Sequence, residues 1–201
     1  MGRVGALLLA AGESSRMGAL KALLPWGCKN LLIHQVTVLN QAALRPIIVV
    51  TGHRACELKS SLANYPQVHT VFNTRYREGK TTSIKAGLAA LRKSNPVAIL
   101  VLNVDQPRSI NVIQLLVKEH QRNSSLITIP TYAGKSGHPV IFSSTLLEEL
   151  SNISEETQGL KAVVLRNAKN TNYMAVDSRE VLFDLNTDED YLRALKEHGL
   201  D

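Results

Sequence analysis

Aromatic side chains are scarce in this sequence of 201 residues: they make up 4% of it, and it has only 2 cysteines. The chain is basic, with a formal net charge of +6, but its few aromatic rings do not alternate with the Lys and Arg residues. This argues against the stacking surface of single-strand nucleic-acid binders, and a small anionic ligand suits the charge better. Cys28 and Cys56 lack metal-ligand spacing, so we expect free thiols without a functional role.

Long apolar runs are also missing from the sequence. No apolar stretch approaches the ~20 residues of a membrane-spanning helix, and the N-terminus starts with an apolar strand rather than a secretory signal. We therefore expect a cytoplasmic protein without membrane contact. A hydrophobic content of 44% is ordinary for a globular protein, and the length suits one domain spanning residues 1–201.

Short apolar runs alternate with amphipathic stretches along the whole chain. We predict strands at 4–10, 46–51, 68–72, 97–103, 126–130, 140–142 and 173–176, and helices at 31–44, at 83–91 and after Ser109, which has the position of an N-cap. This alternation predicts a single-domain α/β/α fold of three layers with a Rossmann-like, mostly parallel sheet. Because such sheets bind ligands at the carboxyl ends of their strands, the segments after the first, third and fourth strands should meet at one edge.

The most informative segment follows the first predicted strand and reads LAAGESSRMGALK over residues 9–21. Ala10, Ala11 and Gly12 have little or no side chain, so backbone N–H groups there can approach a nucleotide closely. Arg16 and Lys21 then supply positive charge for phosphate oxygens. The segment therefore predicts a nucleoside triphosphate site.

Two other nucleotide motifs fit the sequence less well. The dinucleotide fingerprint Gly-x-Gly-x-x-Gly is missing, since the next glycine after Gly12 is Gly18. Residues 79–81 spell the Gly-Lys-Thr of an ATPase P-loop, but the first glycine of that motif has no counterpart upstream. We retain the first segment as the nucleotide site.

Asp105 ends the fourth predicted strand and is followed by Pro107. A carboxylate at a strand end that faces a triphosphate is suited to Mg²⁺, which takes one or two carboxylates together with phosphate oxygens and water. The alternative is that Asp105 caps the turn through a hydrogen bond to nearby backbone.

Residues 9–21 resemble the signature loop of the molybdenum-cofactor nucleotidyltransferases, whose pattern is Leu-Ala-Ala-Gly-x-Ser-x-Arg-Met-Gly-x-x-Lys in the cytidylyltransferase branch. The guanylyltransferase branch has glycine where this chain has Ala11, so the resemblance favours cytidine. It implies a fold of the nucleotide-diphospho-sugar transferase type. It also implies catalytic roles for Arg16, Lys21 and Asp105 and nucleotide-binding roles for Leu9, Ala10, Ala11 and Gly12.

Residues 73–87 are similar to a second loop of that family, which contacts base and ribose. The resemblance implies that Gly79 and Ser83 bind the nucleotide, while Thr81 and Thr82 have the alternative reading of helix caps. The metal position near the C-terminus holds Asn186 where the family has aspartate. The resemblance implies an oxygen ligand there with one negative charge fewer. Thr187 and Asp190 fit a capping box that starts the last helix.

Two further segments bear on the acceptor. The Gly-His-Pro-Val run at 137–140 resembles a family turn that implies substrate contact for His138, although a lone histidine is more often structural. Residues 155–161 match the family only loosely, with Thr157 in place of an acid and Lys161 in place of an arginine.

Taken with the resemblance, these motifs indicate Mg²⁺-dependent transfer of CMP from CTP to a molybdopterin-type acceptor, with a molybdoenzyme or its maturation chaperone as a further partner. Two alternatives stay open at this point. One is transfer to another phosphorylated acceptor such as a sugar phosphate. The other is a partner protein that binds nucleotide or cofactor without turnover.

Overall fold

The computed structural model of the chain describes residues 2–14 and 18–200. The strands are β1 (Val4–Ala10), β2 (Pro25–Trp26), β3 (Lys29–Asn30), β4 (Ile47–Thr51), β5 (Val68–Phe72), β6 (Ala98–Asn103), β7 (Ile127–Tyr132), β8 (Lys135–Ser136), β9 (Val140–Ser143) and β10 (Thr171–Ala175). The α-helices are α1 (Leu31–Gln41), α2 (Ala55–Ser61), α3 (Lys80–Leu91), α4 (Ile110–Arg122), α5 (Leu147–Ser151), α6 (Leu160–Arg166) and α7 (Asp188–Glu197).

The main sheet has the strand order β10-β7-β9-β6-β1-β4-β5, with β8 paired to β7, and β2 and β3 form a separate small hairpin. Strands β4 and β6 both pair in parallel with β1, as do β5 with β4 and β10 with β7. Strand β9 runs antiparallel to both of its neighbours. The predicted mixed, mostly parallel sheet is therefore confirmed.

Alternating side chains of β1 divide between two apolar cores, one on each face of the sheet. Val4, Ala6 and Leu8 pack in the first core, together with residues of α1 and α4. Leu7 and Leu9 pack in the second core, together with residues of α3, α5 and α6. Both faces are thus covered by helices, which gives the three-layer arrangement that the continuous apolar run of β1 predicts.

Helix α3 packs against the sheet at Gly87, where there is no room for a side chain. A Cβ atom added at Gly87 would collide with side-chain atoms of Leu7 and Val50. The first turn of α3 lies at the same edge as the end of β1, because α3 follows the carboxyl end of β5 and β5, β4 and β1 are parallel.

Helix boundaries differ from the prediction in two places. The helix expected at 31–44 ends at Gln41, and Ala43 takes a left-handed conformation with a φ of 60°. The helix expected at 83–91 begins earlier, at Lys80, directly after Gly79 with its φ of 116°. Two predicted caps are confirmed: Ser109 accepts a hydrogen bond from Val112 N–H, and Thr187 forms a capping box with Asp190. The alternative of Thr81 or Thr82 as a helix cap is wrong, because both lie inside α3, whose N-cap is Gly79.

None of the helices described combines the length and the apolar character needed to cross a bilayer.

Candidate active site

A cavity of about 390 Å³ opens at the carboxyl ends of the central strands β1 and β6. This is the edge at which open α/β sheets bind ligands. Its walls come from the loop after β1, the first turn of α3 and the segments that follow β6 and precede α7. Among its lining residues are these that the sequence predicted: Leu9, Ala10, Ala11, Gly12, Lys21, Gly79, Ser83, Asp105 and Asn186. Arg16, which was also predicted, lies outside the described residues.

The loop after β1 is anchored at both of its described ends. The carbonyl oxygen of Ala11 accepts a hydrogen bond from His53 N–H at 3.1 Å. The hydroxyl oxygen of Ser14 accepts one from Lys21 N–H at 3.0 Å. These two bonds fix where the small residues at the strand end lie relative to Lys21.

The Lys21 ammonium connects the two predicted metal ligands. Its Nζ lies 2.9 Å from Oδ2 of Asp105 and 3.0 Å from Oδ1 of Asn186. The side chains of Lys21 and Asp105 are mostly buried, with 13% and 21% of their surface exposed. Asp105 is 84 positions and Asn186 is 165 positions from Lys21 in the sequence, yet both contact its ammonium group.

The donor set around this cation fits a divalent metal. Carboxylate and amide oxygens are the ligands that hard cations prefer, and the ammonium group already takes the position of a cation between them. Within the described part of the chain, no group of three His, Cys, Asp or Glu side chains is arranged to hold a metal ion. A metal at Asp105 and Asn186 therefore needs further oxygens from water or from a bound phosphate.

Three charged residues of the cavity, Asp184, Arg77 and Lys80, were not predicted as site residues. Asp184 lines it beside Asn186, and Lys80 lines it from the first turn of α3. Burial raises the pKa of Asp184, and the nearby negative charge of Asp105 raises it further. In the sequence Lys80 is one of several lysines in a basic stretch; in the structure it begins α3 directly after Gly79 and lines the cavity.

Ser83 is held by a buried amide. Asn73 donates from Nδ2 to the hydroxyl oxygens of Ser83 and Thr82, each at 2.9 Å. Its Oδ1 accepts from Arg75 N–H at 3.0 Å, which fixes the orientation of the amide. Since Ser83 accepts from Asn73, its own O–H hydrogen is left to donate elsewhere, and among the residues described it has no acceptor.

The turn that carries His138 is held by Arg108, which is fully buried. The guanidinium donates to the carbonyl oxygens of His138, Val181 and Phe183 at 2.8, 3.0 and 3.2 Å. His138 is not among the residues that line the cavity. Burial, together with the positive charges of Lys80 and Arg108, lowers the pKa of His138 to about 4, so its ring is neutral near pH 7. Substrate contact by His138 stays a prediction.

Arg108 also ties together the segments on either side of the metal ligands. One of its acceptors, Phe183, directly precedes Asp184, and Leu185 N–H donates to the carbonyl of Asp105 at 3.0 Å. The sequence offered no signal for this role, because the carbonyls of His138, Val181 and Phe183 are 30, 73 and 75 positions from Arg108 in the chain.

The loosely matching segment 155–161 packs against the first turn of α3. Oε1 of Glu155 accepts a hydrogen bond from Thr81 N–H at 2.7 Å, as a carboxylate does at a helix start. A Cβ at Gly79 would collide with the Glu155 side chain, so glycine is required there for space as well as for its φ. Glu155 therefore lies beside the cavity, near Lys80.

The sequence profile described as "MobA-like NTP transferase domain" matches residues 6–171, a range that includes the loop after β1, the first turn of α3, Asp105 and His138. The chain belongs to this family. It is a nucleotidyltransferase, and its fold is that of the nucleotide-diphospho-sugar transferases.

Named relatives of this MobA-like domain include both branches of the family. The chain is 28% identical to the molybdenum cofactor cytidylyltransferase of Escherichia coli (strain K12), over 96% of each sequence. It is 35% identical to a probable molybdenum cofactor guanylyltransferase of Opitutus terrae, but over only 50% of this chain and 46% of the other.

A solved structure is similar over nearly the whole MobA-like chain. Rv0371c from Mycobacterium tuberculosis H37Rv superposes with a TM-score of 0.84 at 26% identity, covering 97% of this chain and 98% of the other. A structure of the same protein in complex with manganese gives a TM-score of 0.75 at 24% identity, with the same coverage.

Proposed function

We propose that the chain transfers CMP from CTP to the molybdopterin-bound molybdenum cofactor and releases pyrophosphate, with Mg²⁺ as the metal. The observation that carries this proposal is the convergence of Lys21, Asp105 and Asn186 at the end of the loop of small residues. The full-length similarity to a named cytidylyltransferase supports the nucleotide and the acceptor. The reaction would take place in the cytoplasm, and the product would pass to a molybdoenzyme or its maturation chaperone.

The proposed reaction needs no covalent intermediate on the protein. An oxygen of the acceptor's phosphate attacks the α-phosphorus of CTP and forms a new phosphorus–oxygen bond. The bond between the α-phosphorus and the oxygen that bridges to the β-phosphorus breaks, and pyrophosphate leaves with that electron pair. Because the attacking phosphate is already an anion near neutral pH, no general base is required, and the protein acts through positioning and charge.

Lys21 and Arg16 are the proposed catalytic cations. Lys21 is recessed in the cavity, where an ammonium group interacts with phosphate more strongly than at an open surface. On nucleotide binding it would exchange Asp105 and Asn186 for phosphate oxygens. Ala10, Ala11 and Gly12 would let backbone N–H groups approach the nucleotide.

Asp105 and Asn186 would hold the metal, whose chemistry there is to neutralise the phosphates and orient them. The Lys21 ammonium group lies within hydrogen-bond distance of an oxygen of each residue. The manganese complex of Rv0371c supports a divalent cation in this fold. The amide of Asn186 makes the pair less negative than two carboxylates would be.

The preference for cytosine rests on Ala11 and on the free hydroxyl hydrogen of Ser83. A cytosine edge offers the acceptors O2 and N3, whereas the corresponding positions of guanine are donors. The Ser83 hydroxyl hydrogen, for which the described residues offer no acceptor, can donate to O2 or N3 of a cytosine and so favours a pyrimidine of this kind. Asn73 supports this reading because it holds the hydroxyl oxygen as an acceptor.

One measurement separates this proposal from its alternatives. Pyrophosphate release is followed with CTP and Mg²⁺ in the presence of molybdenum-loaded molybdopterin, of a sugar 1-phosphate, or of no acceptor. We expect release only with the molybdenum cofactor. Release only with the sugar phosphate would establish the second candidate, and CTP bound but unchanged in every mixture would establish a binding protein.

A further inference from the structure

Three cationic side chains line the cavity within the described residues, namely Lys21, Arg77 and Lys80. Lys21 bonds to Asp105 and Asn186, and Arg77 forms an ion pair with Glu13 at 2.9 Å. For Lys80, by contrast, no hydrogen bond or ion pair is found among residues 2–14 and 18–200. Lys80 is an exposed residue. It is thus the cation that an incoming anion can reach without breaking an existing contact.

Lys80 lies in the first turn of α3, on a different segment from the loop after β1. The carboxylates whose charges act on it are those of Asp105, Asp184 and Glu155, and its own charge acts on His138. Glu155 and His138 lie in the segments 155–161 and 137–140, neither of which is part of the loop proposed to hold the triphosphate. Lys80 therefore lies within electrostatic reach of the proposed metal ligand Asp105 and of the two segments that carry Glu155 and His138.

Although the residue is exposed, partial desolvation by the surrounding protein lowers the pKa of Lys80, against the opposing effect of the three carboxylates. An ammonium group that has lost part of its hydration without gaining a partner is stabilised when an anion binds to it. A nucleophilic phosphate that approaches a triphosphate also meets strong repulsion, which a nearby free cation offsets.

We propose that Lys80 binds the phosphate group of the acceptor and holds its attacking oxygen against the α-phosphorus of the nucleotide. This inference rests on the proposed function, because it assumes that a phosphorylated acceptor enters the cavity. It assigns the acceptor class through its phosphate, which molybdopterin and sugar phosphates share.

The test compares Lys80→Met, Lys80→Arg and, as a matched control, Lys85→Met, which removes the same charge from an exposed position on α3. We expect Lys80→Met to raise the KM for the acceptor about tenfold or more while the Kd for CTP with Mg²⁺ stays within about twofold. Lys80→Arg should recover part of the affinity for the acceptor, and Lys85→Met should match the unmodified protein. An equal weakening of CTP binding, or a Lys80→Met protein that behaves like Lys85→Met, would overturn the inference.

A binding measurement keeps this test separate from the proposed function. The protein is saturated with a CTP analogue whose α,β-bridge is a methylene group, and inorganic phosphate is titrated while thermal stability is followed. If phosphate stabilises the unmodified protein and Lys85→Met but not Lys80→Met, the role of Lys80 stands even if no acceptor yields pyrophosphate. If phosphate acts equally on all three proteins or on none, the role of Lys80 is refuted.

Discussion

The ammonium nitrogen of Lys21 lies 2.9 Å from a carboxylate oxygen of Asp105, although the two residues are 84 positions apart in sequence. The same nitrogen lies 3.0 Å from the amide oxygen of Asn186. One side chain therefore occupies the position between the two oxygens proposed to hold the metal. Metal binding there requires that Lys21 move, and the phosphates of the nucleotide provide the anion toward which it can move.

Replacing Lys21 with methionine should separate metal binding from nucleotide binding. Without the competing ammonium, we expect Mn²⁺ alone to bind about tenfold more tightly, since a positive charge beside both ligands has been removed. Binding of CTP should weaken at the same time, because a phosphate contact is lost. Electron paramagnetic resonance of free Mn²⁺ gives the metal affinity, and calorimetry gives that of CTP. Lys29→Met removes an exposed ammonium elsewhere and should change neither; unchanged Mn²⁺ affinity in Lys21→Met would show that Lys21 does not occupy the metal position.

Asn186→Asp should strengthen the metal site. A second carboxylate increases the attraction for a divalent cation, and we expect Mn²⁺ affinity to rise by about tenfold in the presence of CTP. Asn186→Ala should lower it by removing the ligand. The same Mn²⁺ titration compares the three proteins, and the assignment of Asn186 as a ligand fails if all three bind Mn²⁺ equally.

Ser83 and Asn73 should act as one unit toward the base. Ser83→Ala removes the hydroxyl that donates to the base. Asn73→Asp replaces the amide donor with a carboxylate, toward which the Ser83 O–H would turn and donate. Each substitution should therefore raise the Kd for CTP by about tenfold. Ser60→Ala, which removes an exposed hydroxyl that donates to the Cys56 carbonyl, serves as the control. The polarity argument would be contradicted by an Asn73→Asp protein that binds CTP normally while Ser83→Ala does not.

Arg108 should be essential for stability. Its guanidinium is fully buried and donates to the carbonyl oxygens of Pro107, His138, Val181 and Phe183. Arg108→Met leaves these carbonyls without that donor, and we expect the free energy of unfolding to fall by about 3 kcal/mol or more. Urea denaturation measures this loss. Arg193→Met, on the exposed face of α7, should cost less than about 1 kcal/mol because its ion pair with Glu189 is solvated.

Acid should destabilise the protein partly through His138. Burial first, and then the charges of Lys80 and Arg108, hold the pKa of this residue at about 4 in the folded state. In the unfolded chain its pKa is near the ordinary value of about 6.5. Between these two values only the unfolded state takes up the proton, so the unfolding free energy falls as pH is lowered through that range, by roughly 3 kcal/mol at most.

His138→Gln should remove this part of the pH dependence. Urea denaturation of both proteins between pH 7 and pH 4 gives the difference. The effect is expected to be absent above pH 7, where the histidine is neutral in both states. Parallel pH curves for the two proteins would refute the contribution of His138.

Local signals in the sequence were enough to predict the sheet and one side of the cavity. The apolar run of β1, the small residues after it and the strand-end position of Asp105 each follow from neighbouring residues. The rule that strand ends share one edge then brings Lys21 and Asp105 together. Arg16 and the extent of the domain over residues 1–201 stay predictions.

The rest of the site depends on contacts that no local pattern records. Lys80 lies in a basic stretch like any surface lysine, and its access to the cavity depends on the left-handed φ of Gly79 and on the packing of Glu155 against it. In the sequence, nothing but a neighbouring proline distinguishes Arg108; in the fold, carbonyl groups from distant segments surround its guanidinium. Its burial is a property of the assembled fold.

The central claim is that the cavity selects CTP and transfers its nucleotide. The most direct test is pyrophosphate release by the unmodified protein with Mg²⁺ and molybdenum-loaded molybdopterin, using CTP and GTP in separate and mixed reactions, with Asp105→Asn in parallel. We predict release from CTP in strong preference to GTP, reduced by roughly a hundredfold or more in Asp105→Asn. A preference for GTP, or full activity without the Asp105 carboxylate, would contradict the account.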